Sequence, residues 1–222
     1  IGMEALWYNF LKRFNYSDKE AKAFISGPGY TAWWLMGNLE GIGGPVTTGW
    51  ITERVNLQRK ILKRMKKLGM RPAVPGFVGI VPTSLKKIIP TAELLEQGKW
   101  GAYKRPAVLN PETPLFDKMA KAWYEELDKL FGPIDVFAGD LFHEGGKSHG
   151  LDLGIIAEKV QKHMIDYNPN SIWCIQSWGG NPKQSLLKGL NKKNTLIIDL
   201  CGEYFTMWKK SKGFWGKPWV FS

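Results

Sequence analysis

The chain has 222 residues, is 44% hydrophobic and carries a net charge of +11. That composition supports a packed core and excludes global disorder. No uninterrupted apolar run reaches the length of a membrane span, so no membrane insertion is expected. Lys supplies most of the positive excess, but no nucleic-acid module signature accompanies it, and no nucleic-acid partner is expected.

In chain order, residues 4–14 and 17–26 read as short amphipathic helices, the second with Ser17 as N-cap and Glu20 closing a capping box. Gly27-Pro28-Gly29 breaks the pattern. Residues 30–47 read as a long Gly- and Trp-rich loop, the kind that is usually functional inside a domain. A helix is predicted over 48–68, stopped by Gly69. Its Ile61, Leu62, Met65 and Leu68 share one face and its basic residues the other, which reads as a solvated helix with one buried stripe. Strands follow at 71–78 and 105–109, with a short helix from Thr83 between them. A helix over 114–131 leads to a strand at 134–140, a helix over 151–167 and a strand at 171–176. A short helix over 182–190, a strand at 195–200 and a last strand from Pro218 to Phe221 close the chain.

Strand, loop and helix alternate with no change of composition, so the reading is one α/β domain over residues 1–222. The informative residues all follow strands. That suits a (β/α)8 TIM-like barrel, whose sites are built at the strand C-terminal ends, better than the single crevice of a doubly wound sheet. Only about six strands are legible against the eight of a closed barrel, so the barrel is incomplete here. Ile1 opens the chain and an apolar strand-like run ends it, so both ends read as cuts in a longer protein. Cys174 and Cys201 both lie in apolar strand-like runs and read as buried free thiols.

Two strands end in the same phrase: Asp140-Leu141-Phe142-His143-Glu144 and Asp199-Leu200-Cys201-Gly202-Glu203. Carboxylates on two strand tips are what glycoside hydrolysis needs, one to protonate the leaving oxygen and one to meet the sugar's positive charge. Eleven Trp support the reading, because Trp33, Trp34, Trp100 and Trp178 sit near Gly-rich segments where aromatic faces suit sugar rings. Gly145-Gly146-Lys147-Ser148 lacks the first Gly of a phosphate-binding loop, and His143, Glu144 and His149 lack zinc-hydrolase spacing. No Gly-x-Ser-x-Gly elbow follows a strand. No metal and no cofactor are expected.

Further motifs give the chain a family resemblance. Phe24-Ile25-Ser26-Gly27-Pro28, Ala32-Trp33, Met36-Gly37-Asn38, Gly43-Gly44-Pro45, Gly69 through Phe77, Val81-Pro82 and the two carboxylate phrases occur in this order. The chain resembles the catalytic barrel of α-N-acetylglucosaminidases, glycoside hydrolase family 89, over almost its whole length. The resemblance implies a retaining exo-hydrolase that removes terminal α-linked N-acetylglucosamine from glycans. It implies Glu144 as acid/base and Glu203 as nucleophile, about 5–5.5 Å apart as in retaining enzymes. Glu144 would carry a raised pKa while Glu203 stays ionised. Trp33, Met36, Trp100 and Trp178 match sugar-contacting positions. His143 stands where many members carry Asn, a departure that bears on N-acetyl recognition and on the protonation of Glu144. A strand before Ile1 and a helical domain after the barrel complete the pocket in relatives. A secreted, periplasmic or lysosomal setting is also implied. Rival readings are a glycan-binding barrel without turnover, a barrel glycosidase of other specificity, and binding of acidic glycans through the Lys excess.

Overall fold

Two units divide the chain in the computed structural model, which describes residues 2–142 and 144–222. The first is Ile1–Pro72 with Gly79–Ile134, the second Ala73–Val78 with Asp135–Ser222.

In the first unit the helix Met3–Arg13 turns Met3, Leu6, Trp7, Phe10 and Leu11 inward, the spacing of one helical face. The helix Pro114–Phe131 does the same with Phe116, Met119, Ala120, Trp123 and Leu127. The two faces meet through rings. Trp7 lies 4.7 Å from Trp123, edge to face, and Phe10 lies 5.3 Å from Trp123. Phe24 from the helix Asp18–Phe24 and Trp34 from the helix Thr31–Leu35 close on Trp7 at 5.0 and 6.0 Å. The capping box of Ser17 and Glu20 is formed.

Three expectations change here. Residues 30–47 are not all loop, because Thr31–Leu35 is a short helix anchored by Trp34, which is buried. The helix Thr48–Lys67 buries Ile51, Val55 and Gln58; farther along, Ile61, Leu62 and Met65 are half-buried and Leu68 is exposed. The strand Ala107–Leu109 is not part of a parallel sheet. It pairs antiparallel with Ile80–Val81 and Leu94–Leu95. All three of its residues are buried, and a short apolar run reads alike in either kind of sheet. A small hairpin joins Lys99–Trp100 to Tyr103–Lys104.

The second unit carries the parallel sheet. Its strands are β1 (Ala73–Pro75), β2 (Val136–Ala138), β3 (Ile172–Ser177), β4 (Thr195–Asp199) and β5 (Trp219–Phe221). Each pairs in parallel with the next. The spatial order therefore follows the chain order with no reversal. A doubly wound sheet would reverse at its switch point, so this is part of a (β/α)8 barrel. Helices Leu153–Tyr167 and Gln184–Lys188 make the crossovers from β2 to β3 and from β3 to β4. Where β3 and β4 begin, the buried side chains of Gln161, Asn194 and Thr195 are paired. Gln161 donates to the Thr195 hydroxyl at 2.9 Å and to the Asn194 carbonyl at 3.0 Å, while Asn194 donates to the Ser171 carbonyl at 2.7 Å. Such a network serves stability, leaving chemistry to the opposite strand ends.

Trp123→Ala tests the ring cluster. Removing this 1% exposed side chain should cost about 3–5 kcal/mol in urea unfolding, as for large aromatic truncations generally.

Candidate active site

At the C-terminal end of β2 the chain leaves through Gly139 and makes a tight knuckle. Phe142 and Glu144 both take left-handed backbone, with φ of 56° and 46°. For non-glycine residues that conformation costs energy and is kept only when the surroundings enforce it. Gly146 allows the knuckle to close, since a Cβ there would stand 2.5 Å from the Phe142 Cα. Glu144 is half-buried within this turn. His143 lies outside the described residues.

Asp140 ties the knuckle to the next strand. Its Oδ1 accepts the Gln176 backbone N–H at 2.9 Å, and the Trp173 indole N–H donates to the Gly139 carbonyl at 2.7 Å. A cavity of about 200 Å³ opens beside these bonds, lined by Asp140, Ser148, Trp173, Gln176, Asn181 and Lys183 among others. Neither Glu144 nor Glu203 lines it.

β3 delivers Trp178 one residue past its tip, held by a bridge to Asn181 that brings the chain back on itself. The ring is half-buried and meets Phe205 edge to face, with centroids 5.4 Å apart. Phe205 belongs to the short helix Gly202–Phe205 that follows β4, and Glu203 is an exposed residue of the same helix. The helix is entered through Cys201 in left-handed backbone, so Cys201 is a half-buried turn residue rather than a buried strand thiol. Cys174 is buried and free, as its sequence setting suggests.

Beneath this turn lies Asp199, the last residue of β4. It is fully buried, and neither carboxylate oxygen has a hydrogen-bond partner among the described residues. Burial pushes its pKa up. The Ser177 hydroxyl works against that shift, and the negative charge of Glu203 adds to it.

Glu144, Trp178 and Glu203 thus follow three successive strands of the parallel sheet. Trp33, Met36 and Trp100 belong to the first unit. Trp33 is 43% exposed on the short helix Thr31–Leu35 and Met36 is 40% exposed at its C-cap, so both are open to a ligand. Trp100 is half-buried and pairs with Tyr103 in the hairpin. Asp140, Asp199 and Phe205 do not stand out as site residues in the sequence. Two of them are the opening Asp of each Asp-Leu-x-x-Glu phrase, and the repeat of that Asp is the signal that could have found them. Among the described residues no group of three or more His, Cys, Asp or Glu is placed to hold a metal, and no helix is long and apolar enough to cross a membrane.

A partial barrel with Glu and Trp on successive strand tips defines a class, the TIM-barrel domains of glycoside-hydrolase type, and comparison with known proteins makes it specific. The sequence model of the α-N-acetylglucosaminidase TIM-barrel domain matches residues 1–222. The chain belongs to this α-N-acetylglucosaminidase family, glycoside hydrolase family 89. Human α-N-acetylglucosaminidase is 27% identical over 235 residues, covering 99% of this chain and 32% of the human protein. A family 89 glycoside hydrolase from Clostridium perfringens, solved with PUGNAc, is 37% identical with a TM-score of 0.95, covering 99% of this chain and 26% of that one. The same bacterial enzyme, with two glutamates changed to glutamine, was solved with its substrate GlcNAc-α-1,4-galactose and gives a TM-score of 0.94. The chain therefore spans between a quarter and a third of these relatives.

Gly202→Ala tests the packing of the turn. Its Cβ would stand 2.6 Å from Oδ2 of the fully buried Asp199 and 2.8 Å from the exposed Phe221 ring. Urea unfolding should show a loss of about 1–3 kcal/mol, the usual penalty for overpacking.

Proposed function

We propose that this chain is the catalytic-barrel piece of a retaining exo-glycosidase that hydrolyses terminal α-linked N-acetylglucosamine, with Glu144 as acid/base. The observation that carries the reading is the bacterial relative captured with GlcNAc-α-1,4-galactose, 37% identical over 99% of this chain. The chain spans a quarter to a third of its relatives, and we propose that further parts of the parent complete the pocket.

The chemistry divides among the strand tips. Glu144 protonates the glycosidic oxygen as the bond breaks, then takes a proton from the attacking water. The left-handed turn sets the backbone from which Glu144 extends, and orientation of a catalytic group supplies a large part of such rate enhancements. Trp178 offers an aromatic face to the sugar, buttressed by Phe205. Trp33, Met36 and Trp100, within the first unit, stay candidate sugar contacts on the family resemblance alone. His143 directly precedes the acid/base in the sequence, and we assign it a part in N-acetyl recognition on the family resemblance alone.

The second carboxylate has two candidates. Glu203 is the one this chain supplies. The two altered glutamates of the bacterial relative, however, lie twice as many positions apart as Glu144 and Glu203. Counted back from Glu203, that separation reaches Leu85, and no Asp or Glu stands between Glu53 and Glu93. Counted forward from Glu144, it passes Ser222. The spacing favours a nucleophile farther along the parent chain, with Glu203 on the rim of the site.

Kinetics of the full-length parent decide both points. Glu144→Gln should lower kcat on GlcNAc-α-1,4-galactose by at least about a hundredfold, the usual worth of general acid–base catalysis. The loss should be smaller on the p-nitrophenyl glycoside, whose leaving group needs little protonation. Glu203→Gln should retain most turnover; a collapse comparable to a lost nucleophile would return that role to Glu203. Folded wild type that binds N-acetylglucosamine without turnover would leave a glycan-binding barrel instead.

A further inference from the structure

Ionising a carboxylate that has no exposure and few hydrogen-bond donors is costly, and such groups answer by staying protonated. Asp199 is fully buried, neither oxygen has a hydrogen-bond partner within normal geometry among the described residues, and the nearby Ser177 hydroxyl offsets the effect of burial only in part. Its cross-strand neighbours are Ser177 on β3 and Phe221 on β5, and neither titrates. The ionisable groups on the turn that follows are Cys201, Glu203 and the exposed Tyr204, and Glu203 adds negative charge. No cation is among these neighbours. Above the carboxyl lies Gly202, so close that a Cβ would meet Oδ2, and three residues later Phe205 packs against Trp178. Burial, unpaired oxygens and a ring contact thus form one line from the strand tip to the aromatic face offered to the sugar.

We propose that Asp199 is a positioning residue: as a neutral acid it seats the turn Gly202–Phe205, and through Phe205 it sets the angle of Trp178. Its proton gives the carboxyl one donor, which can bond the Ser177 hydroxyl instead of leaving two bare acceptors in the core. Ionisation would draw water or a cation to the turn, shift Gly202, and loosen the ring pair on which sugar stacking relies. This extends the glycosidase reading above and rests on it for the role of Trp178, but not for the state of Asp199.

The test uses the full-length parent as wild type, Asp199→Asn and Phe205→Leu, across mildly acidic to alkaline pH. The sign follows from linkage. A carboxyl whose folded pKa is raised contributes stability that is full below its unfolded value and lost as pH rises through the folded value. The thermal midpoint of wild type should therefore fall relative to Asp199→Asn with rising pH, the two being close at the acid end. KM for the p-nitrophenyl α-N-acetylglucosaminide should rise several-fold over the same interval in wild type, with a smaller change in kcat. The rise should vanish in Asp199→Asn. In Phe205→Leu, KM should be raised at every pH and should no longer climb.

Coinciding stability profiles for wild type and Asp199→Asn overturn the proposal. So does a folded Asp199→Asn whose KM is tenfold worse even at the acid end, which would mean that the ionised carboxylate is the working form. If Asp199→Asn does not fold, a KM that still climbs with pH in Phe205→Leu overturns the link to Trp178. Absence of turnover in folded wild type refutes the hydrolase reading, and the stability profiles still decide the state of Asp199.

Discussion

Parallel pairing in chain order is the constraint on which the rest of the second unit depends. Five strands that each hydrogen-bond to the next, all pointing one way, place every C-terminal tip on one side of the sheet. Residues just past those tips have no sheet partner to satisfy them, and their backbone is free to turn. The left-handed knuckle at Phe142 and Glu144, the bridge at Trp178 and the left-handed Cys201 are three solutions to that exit. The other ends of β3 and β4 are bound by Gln161 and Asn194, which commit their polar groups to structure alone.

A strand tip can hold a carboxylate in more than one environment. Asp140 has its charge answered by a backbone N–H of the neighbouring strand and so acts as a tie between loops. Asp199, at the same place in its own phrase, has no such donor among the described residues and is fully buried close to Gly202. Two residues alike in sequence position therefore differ in hydrogen bonding, and the difference comes from the neighbouring strand rather than from their own. Glu144 and Glu203 divide in a similar way, one enclosed in a knuckle and the other exposed on a single helical turn.

Much of this architecture is legible in the amino-acid sequence. The helix Pro114–Phe131 declares itself by a Thr cap, a first-position Pro and a regular apolar face, and Ser17 with Glu20 marks a start through two local bonds. Strands β2 to β5 show as apolar runs between turn residues. What depends on distant partners is hidden. Ala107–Leu109 is as apolar as any barrel strand, and only its antiparallel neighbours assign it elsewhere. Thr31–Leu35 is helical because Trp34 finds Trp7 and Phe24, contacts that composition does not announce. The site residues carried by motif stand out in sequence; Phe205 and Asp199 matter through a ring contact and a sealed core, which no spacing encodes.

The central claim is that strand-tip carboxylates of this family hydrolyse an α-linked N-acetylglucosamine by double displacement. Its most direct test is proton NMR of the sugar first released by the full-length parent from the p-nitrophenyl α-N-acetylglucosaminide, recorded before mutarotation. Double displacement predicts the α-anomer as the initial product. Initial release of the β-anomer would contradict it, because inversion requires a single displacement by water and a different pairing of carboxylates.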